Sequence, residues 1–150
     1  MKKTIALLIA LTLVLTACES NRLYASPQEI YDYIEASAEP KLPLMLDIAE
    51  GRLPDYKVNI EDVKSFVAKE AAISAVFVQL IIIEAQKGKV NDVYNAMLEH
   101  QSKLKEAAFY PQAQKAAANS IAGVEGDLVY LICYEDAKNI ENELLVFLGD

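Results

Sequence analysis

The sequence predicts an α+β domain: a four-stranded antiparallel sheet, order 1-2-4-3, built from a strand-strand-helix repeat, with an additional N-terminal helix. Two stretches, VFVQLIIIEA and LVYLICY, are apolar on both faces, as strands in the middle of a sheet are. Two alanine-rich stretches interrupted by polar residues are typical of edge strands. The 150 residues, 53 % hydrophobic and 24 % charged, are sufficient for a single domain with one core.

The first helix is predicted to begin at the sequence SPQE, residues 26–29. Ser26 is suited to the N-cap, Pro27 to the first helical position, and Glu29 completes a capping box. Pro40 ends the helical spacing after about three turns. The next segment, residues 39–60, contains three prolines and is predicted to be an ordered connection over a small set of apolar residues, Leu42, Leu44, Met45 and Leu46.

The strand-strand-helix unit then occurs twice. Strand 1 is predicted in VKSFVAKEA, strand 2 in VFVQLIIIEA, and a helix from Asn91 to about Ala108. Pro111 restarts a short helical turn before strand 3, a weak strand near residues 120–124. Gly126 forms a hairpin turn that leads into strand 4, LVYLICY.

A last helix follows strand 4. Asp136 is predicted to cap its start and Gly149 to end it. The helices after strands 2 and 4 are expected to cover one face of the sheet. The other face needs a cover as well, because both central strands are apolar on that side too. Either the helix that begins at Ser26, with the proline-rich connection, or a partner protein would supply this cover.

The N-terminal residues have the layout of a secretory signal. Lys2 and Lys3 precede TIALLIALTLVLTA, an apolar run shorter than the ~20 residues of a membrane-spanning helix. An uncleaved N-terminal anchor helix is the alternative, and it would place the domain on the same side of the membrane. Both interpretations predict an extracytoplasmic protein.

Leu15, Thr16, Ala17 and Cys18, at the end of the apolar run, resemble the lipobox of bacterial prolipoproteins. The resemblance implies cleavage between Ala17 and Cys18 and a diacylglyceryl group on the Cys18 thiol, with fatty acyl chains such as palmitate. Residues 1–17 would then be a signal peptide, 18–25 a lipidated N-terminus and tether, and 26–150 a single domain. The protein is expected on the outer face of the cell membrane, or in the outer membrane of a diderm.

The charge of the chain argues against several kinds of partner. The formal net charge is −8, and it becomes more negative when Lys2 and Lys3 are removed with the signal peptide. Such a surface repels phosphate backbones and anionic headgroups, so neither nucleic-acid binding nor electrostatic membrane docking is expected.

Three stretches resemble a family of small bacterial lipoproteins that carry domain of unknown function 4358. They are EDVKSFVAKEAAISAVFVQLIIIEA, FYPQAQKAAAN, and the Gly126 hairpin that leads into DLVYLICYEDA. The chain departs from the family pattern at Val78 and Gln79, where small and acidic residues are usual, and at His100 and Gln101, where an arginine is frequent nearby. The resemblance implies secretion, lipid attachment and an α+β fold, and it carries no established activity.

The residues that could carry chemistry are few. His100 is the only histidine and lies between Glu99 and Gln101, which predicts a solvated histidine on a helix. Cys133 alternates with apolar residues on strand 4 and is predicted to be a small buried hydrophobe. The acidic groups at 125–127 and 135–136 lie at opposite ends of that strand and match no calcium loop. The sequence therefore predicts neither a cofactor nor a metal site.

These observations favour a non-enzymatic, lipid-anchored domain that binds an envelope protein or another envelope component. Tyr130 and Tyr134 of strand 4 form its candidate interaction face. The alternative is a small envelope enzyme or metal-dependent hydrolase that uses acidic residues. A solute-binding lipoprotein is the weakest hypothesis, because about 130 residues do not form two lobes of ordinary domain size.

Overall fold

The computed structural model describes residues 25–73 and 77–149, which form an antiparallel sheet with helices on both faces. The helices are α1 (Pro27–Ser37), α2 (Val90–Ala107), α3 (Pro111–Asn119) and α4 (Ala137–Leu148). The strands are β1 (Met45–Asp47), β2 (Val63–Ala71), β3 (Gln79–Ala85), β4 (Ile121–Glu125) and β5 (Leu128–Cys133). Two 3₁₀ helices, Glu50–Tyr56 and Ile60–Asp62, lie between β1 and β2. The predicted signal peptide and lipobox, with Leu15, Thr16, Ala17 and Cys18, lie outside the described residues.

Helix α1 starts with the capping box that the sequence predicts. The Ser26 hydroxyl accepts a hydrogen bond from the backbone N–H of Glu29, and the Glu29 carboxylate accepts one from the Ser26 N–H at 2.8 Å. These bonds satisfy two backbone donors that the first helical turn leaves free. The Glu29 carboxylate also accepts a hydrogen bond from the Ser26 hydroxyl, and this bond and the one from the Ser26 N–H lower the pKa of Glu29.

The sheet has five strands in the order β1-β2-β3-β5-β4, so the prediction of four strands is wrong in number. The four predicted strands are β2 to β5, and they follow the order 1-2-4-3 within the larger sheet. The missed strand, β1, lies in the proline-rich connection and pairs with β2, which is therefore an internal strand and not an edge. Leu44, just before β1, and Leu46, within it, are 76 % and 52 % exposed, so they do not pack beneath the connection as predicted.

Strands β3 and β5 form the centre of the sheet, as their composition predicts. Every residue of β5 is buried, and Leu80 to Ile83 of β3 are too. Strand β3 begins at Gln79, three residues later than the apolar run, because Phe77 has a φ of 53° that interrupts the extended backbone.

Each face of the sheet is covered by its own helices. On one face, helices α2 and α3 and the first 3₁₀ helix pack on Ile81, Ile83, Val129 and Leu131. On the other face, α1 and α4 pack on a set that alternates with the first, Leu80, Ile82, Leu128, Tyr130 and Ile132. The prediction that the helices after strands 2 and 4 share one face is therefore wrong. The second face could have been covered by the helix that begins at Ser26 or by a partner protein, and the structure has the first of these, α1.

None of the helices among the described residues has the length and the apolar composition needed to cross a membrane.

The packing of β4 on β5 depends on the absence of a side chain at Gly123. Gly123 pairs directly with Tyr130 across the two strands, and a Cβ built on Gly123 would overlap the Tyr130 ring. The ring thus crosses the β4 backbone and reaches α4, where its hydroxyl donates a hydrogen bond to Glu141 at 2.9 Å. A glycine at this position lets a large aromatic residue lie flat against the edge strand.

Replacing Gly123 with alanine is expected to destabilise the domain by about 1–3 kcal/mol, because the Tyr130 ring must move out of its buried site. Chemical denaturation monitored by circular dichroism measures the loss. Gly51→Ala is the matched control, because a Cβ at Gly51 meets no atom within 4 Å. Equal free energies of unfolding for the two variants would contradict this role of Gly123.

Candidate functional site

A cleft of about 290 Å³ lies at the end of the sheet where β5 finishes. Its apolar lining comes from Pro43, Val78 and Ala116. Polar side chains also line it: Lys41, Gln112, Tyr134 and Glu135. A small concave site with an apolar floor and a few polar groups is the usual form of a binding site for a side chain or a small ligand.

The local sequence explains how α3 and β5 form this cleft. Helix α3 buries three alanines, Ala113, Ala116 and Ala117, so it packs close to the sheet. The Asn119 amide at the end of α3 donates a 2.7 Å hydrogen bond to the Glu135 carbonyl, which fixes the chain just after β5. The Glu135 carboxylate lies 3.2 Å from the Lys115 ammonium group.

Two exposed aromatic residues stand next to α3. Phe109 is 83 % exposed and Tyr110 59 % exposed, and their rings are 5.7 Å apart and perpendicular. They directly precede Pro111, the first residue of α3. The second residue of α3, Gln112, lines the cleft. The sequence analysis missed this pair. The sequence FYP after a predicted helix does indicate it, because Pro111 stops the helix and the two rings then lie in a connection.

The predicted interaction face on β5 is wrong. Tyr130 and Tyr134 are 4 % and 7 % exposed, and both pack in the core cluster that contains Ile30 and Ile34 of α1. Burial raises the pKa of both phenol groups, and for Tyr130 the hydrogen bond to Glu141 raises it further. Tyr134 still contributes to the site, because it lines the cleft.

His100 is buried and not solvated, which corrects the prediction. It is 7 % exposed, and its Nε2 lies 2.8 Å from the Gln79 side-chain oxygen. Its ring is edge-on to the Tyr56 ring, with 4.4 Å between the ring centroids. The signal was present in the sequence, since Val93, Met97, His100 and Leu104 are spaced along one face of a helix. The polar neighbours of His100 in the sequence concealed this pattern.

A family model described as Domain of unknown function (DUF4358) matches residues 45–134. The chain belongs to this family. The DUF4358 match begins at β1 and ends just after β5, so α1 and α4 lie outside it. It includes Phe109, Tyr110 and Tyr134, whereas Lys41 and Pro43 of the cleft precede it. No curated protein and no solved structure matches the chain.

The cysteine of the DUF4358 domain is part of the core, as predicted. Cys133 is fully buried, and its thiol donates a hydrogen bond to the Phe77 carbonyl, with 3.3 Å between sulfur and oxygen. Burial raises the pKa of the thiol to about 12. Since the thiolate is the nucleophilic form, Cys133 is unreactive at neutral pH.

The carboxylates of the DUF4358 domain are spread over ion pairs at several places. Glu84 accepts hydrogen bonds from Lys64 at 2.6 Å and Ser65 at 2.7 Å, and Asp62 lies 3.0 Å from the Lys89 ammonium group. Within residues 25–73 and 77–149, no three His, Cys, Asp or Glu side chains are grouped so that they could hold a metal ion.

The environment of His100 keeps its imidazole neutral. Burial, and to a lesser extent the charge of Lys103, lowers the pKa of His100 to about 4. A histidine in the unfolded chain has a pKa of about 6.5. Between these two values the unfolded chain binds the proton more readily than the folded chain does, so the free energy of unfolding falls as the pH falls.

Lowering the pH from 7 to 4 is expected to remove about 3 kcal/mol of stability through His100, because the unfolded chain takes up a proton that the buried imidazole resists. Urea denaturation across this range measures the effect. His100→Gln keeps a polar side chain that does not titrate, so the pH-dependent difference between the two proteins isolates His100 from the carboxylates. The same pH dependence in both proteins would contradict the buried, neutral state of His100.

Proposed function

We propose that the protein is a lipid-anchored component of the cell envelope whose domain binds another envelope protein and has no catalytic role. The observation that carries the binding activity is the exposed aromatic pair, Phe109 and Tyr110, which directly precedes the helix, α3, that helps to line the cleft at the end of β5. The lipobox-like sequence that ends at Cys18 supports the anchor.

The aromatic pair is expensive to leave in water. Full burial of a phenylalanine side chain stabilises a protein by about 1.5–3 kcal/mol, and Phe109 is 83 % exposed. Exposed aromatic residues beside a pocket are typical of the side chains that dominate the energy of protein interfaces. The neighbouring cleft can accept a partner side chain, and its lining includes the polar side chains of Lys41 and Glu135.

The distribution of reactive groups favours binding over catalysis. An enzyme that used acidic residues would need carboxylates that converge on a pocket, and Glu135 is the one carboxylate among the described residues that line the cleft. It is paired with Lys115. His100 and Cys133 are packed within the core, away from solvent. These positions support a partner protein and count against a hydrolase.

The anchor accounts for how an acidic protein stays at the membrane. A formal net charge of −8 gives no electrostatic attraction to anionic headgroups. Each buried CH₂ group contributes about 0.8 kcal/mol, so two acyl chains hold a protein at a bilayer where one chain binds only marginally.

Replacing Cys18 with serine is expected to abolish lipid attachment, because serine has no thiol to take the diacylglyceryl group, and to prevent the cleavage before residue 18. Labelling with palmitate measures lipid attachment, and mass spectrometry of the mature N-terminus measures cleavage. Cys133→Ala is the control, because Cys133 is buried and should not affect labelling. A wild-type protein that retains Met1 would contradict cleavage and support the uncleaved anchor helix.

Replacing Phe109 and Tyr110 together with serine is expected to reduce partner capture at least about tenfold, because the two rings supply the main apolar contact. The measurement is crosslinking in intact cells, followed by quantification of one crosslinked species present with the wild-type protein. Both side chains are exposed, so the free energy of unfolding, measured by thermal denaturation, should stay within about 0.5 kcal/mol of the wild-type value.

The matched control for this experiment is Leu98→Ser, which removes an apolar side chain that is 38 % exposed on α2. If the Leu98 variant loses the crosslinked species and the aromatic variant keeps it, the binding surface lies elsewhere.

A further inference from the structure

The last turn of α4 is apolar on all its sides although it lies at the surface. Leu145, Phe147 and Leu148 are partly buried, and Val146 is 60 % exposed. A surface helix ordinarily places polar residues on its outer face. Phe147 contacts the half-buried Tyr33 of α1, with ring centroids 4.9 Å apart. We call these five residues, Tyr33 and Leu145 to Leu148, the α4 patch.

The α4 patch lies on the same side of the domain as the point where the tether enters it. Ala25, the first described residue, packs against the core cluster that also holds Leu145, Phe147 and Leu148. Helices α1 and α4 are antiparallel, because the Asn139 amide at the start of α4 donates a 2.7 Å hydrogen bond to the Glu39 carbonyl just after the end of α1. The end of α4 therefore lies towards the start of α1.

The tether limits how far this side of the domain can be from a lipidated Cys18. Six residues lie between Cys18 and Ala25, and a fully extended chain spans at most about 25 Å over the seven steps from Cys18 to Ala25. The exposed aromatic pair is differently placed, since Phe109 and Tyr110 follow α2, which packs on the opposite face of the sheet from α1 and α4.

We propose that the α1–α4 side of the domain faces the bilayer and that the α4 patch contacts the boundary between headgroups and acyl chains. Phe109 and Tyr110 then face away from the membrane. This inference rests on the proposed lipid anchor. The lipid surface is the occupant that fits, because the anchor holds a bilayer within reach of a patch that combines aromatic and aliphatic side chains.

The charges near the α4 patch select the kind of lipid. Glu29 and Glu143 each lie four residues before a ring of the patch, Tyr33 and Phe147, on the same helical faces. Both acidic side chains repel anionic headgroups, so contact with zwitterionic lipid is favoured.

The absence of tryptophan from the chain provides a direct test. Phe147→Trp and Phe109→Trp each give the mature lipidated protein a single tryptophan, whose fluorescence is excited separately from that of the tyrosines, one in the α4 patch and one in the exposed pair. Each protein is reconstituted into phosphatidylcholine vesicles with or without bromine atoms on the acyl chains. Because an interfacial helix buries its apolar face by about 5–10 Å, the fluorescence of the Phe147 variant should fall about twofold with brominated lipid. The fluorescence of the Phe109 variant should not change.

A further substitution tests whether the quenching at position 147 comes from contact of the patch with lipid and not from a change in folding. Val146→Glu, added to the Phe147→Trp protein, places a charge on an exposed residue of the patch. It should reduce the quenching while the protein still floats with the vesicles, because the acyl chains remain attached. Circular dichroism of each variant reports whether the domain is folded.

The outcomes separate this inference from the proposed anchor. The orientation is overturned, and the anchor left intact, if the protein floats with vesicles and the tryptophan at position 147 is not quenched. Quenching of the tryptophan at position 109 has the same meaning. A protein that is unmodified at Cys18 and does not float overturns both. A fluorescence shift at position 147 that depends on protein concentration without vesicles assigns the patch to a second copy of the chain and overturns the lipid contact.

Discussion

The need to cover two central strands on both faces governs the architecture of this domain. All the residues of β5 and most of β3 are buried, and their side chains alternate between the two cores. Each fully buried leucine or isoleucine stabilises the fold by about 1.5–3 kcal/mol, so leaving either face in water would cost more than the net stability of an ordinary domain. Helices α1 and α4 therefore cover one face, and α2 and α3 the other.

The parts of the fold that depend on composition could be predicted from the sequence. The branched and aromatic residues of β3 and β5 identified the centre of the sheet, and Ser26 with Glu29 identified the start of α1. Strand β1 could not be predicted, because its three residues are too few to show alternation. The face on which α4 packs could not be predicted either, because β5 is apolar on both faces and gives the following helix no preferred side.

The candidate site was less predictable than the fold. Tyr130 was a reasonable surface residue by type, but its hydroxyl finds an internal partner in Glu141, which makes burial possible. His100 was misplaced because its polar neighbours outweighed its spacing with Met97 and Leu104. The positions of Phe109 and Tyr110 depend on where α2 ends relative to Pro111, and helix boundaries are the least certain part of a sequence-based assignment.

The buried thiol of Cys133 makes the folded domain insensitive to the redox state of its surroundings. Cys133 is the free cysteine of the described residues, and neither oxidants nor disulfide-exchange enzymes reach a fully buried sulfur whose pKa is about 12. The folded domain therefore keeps this thiol out of oxidation and disulfide exchange.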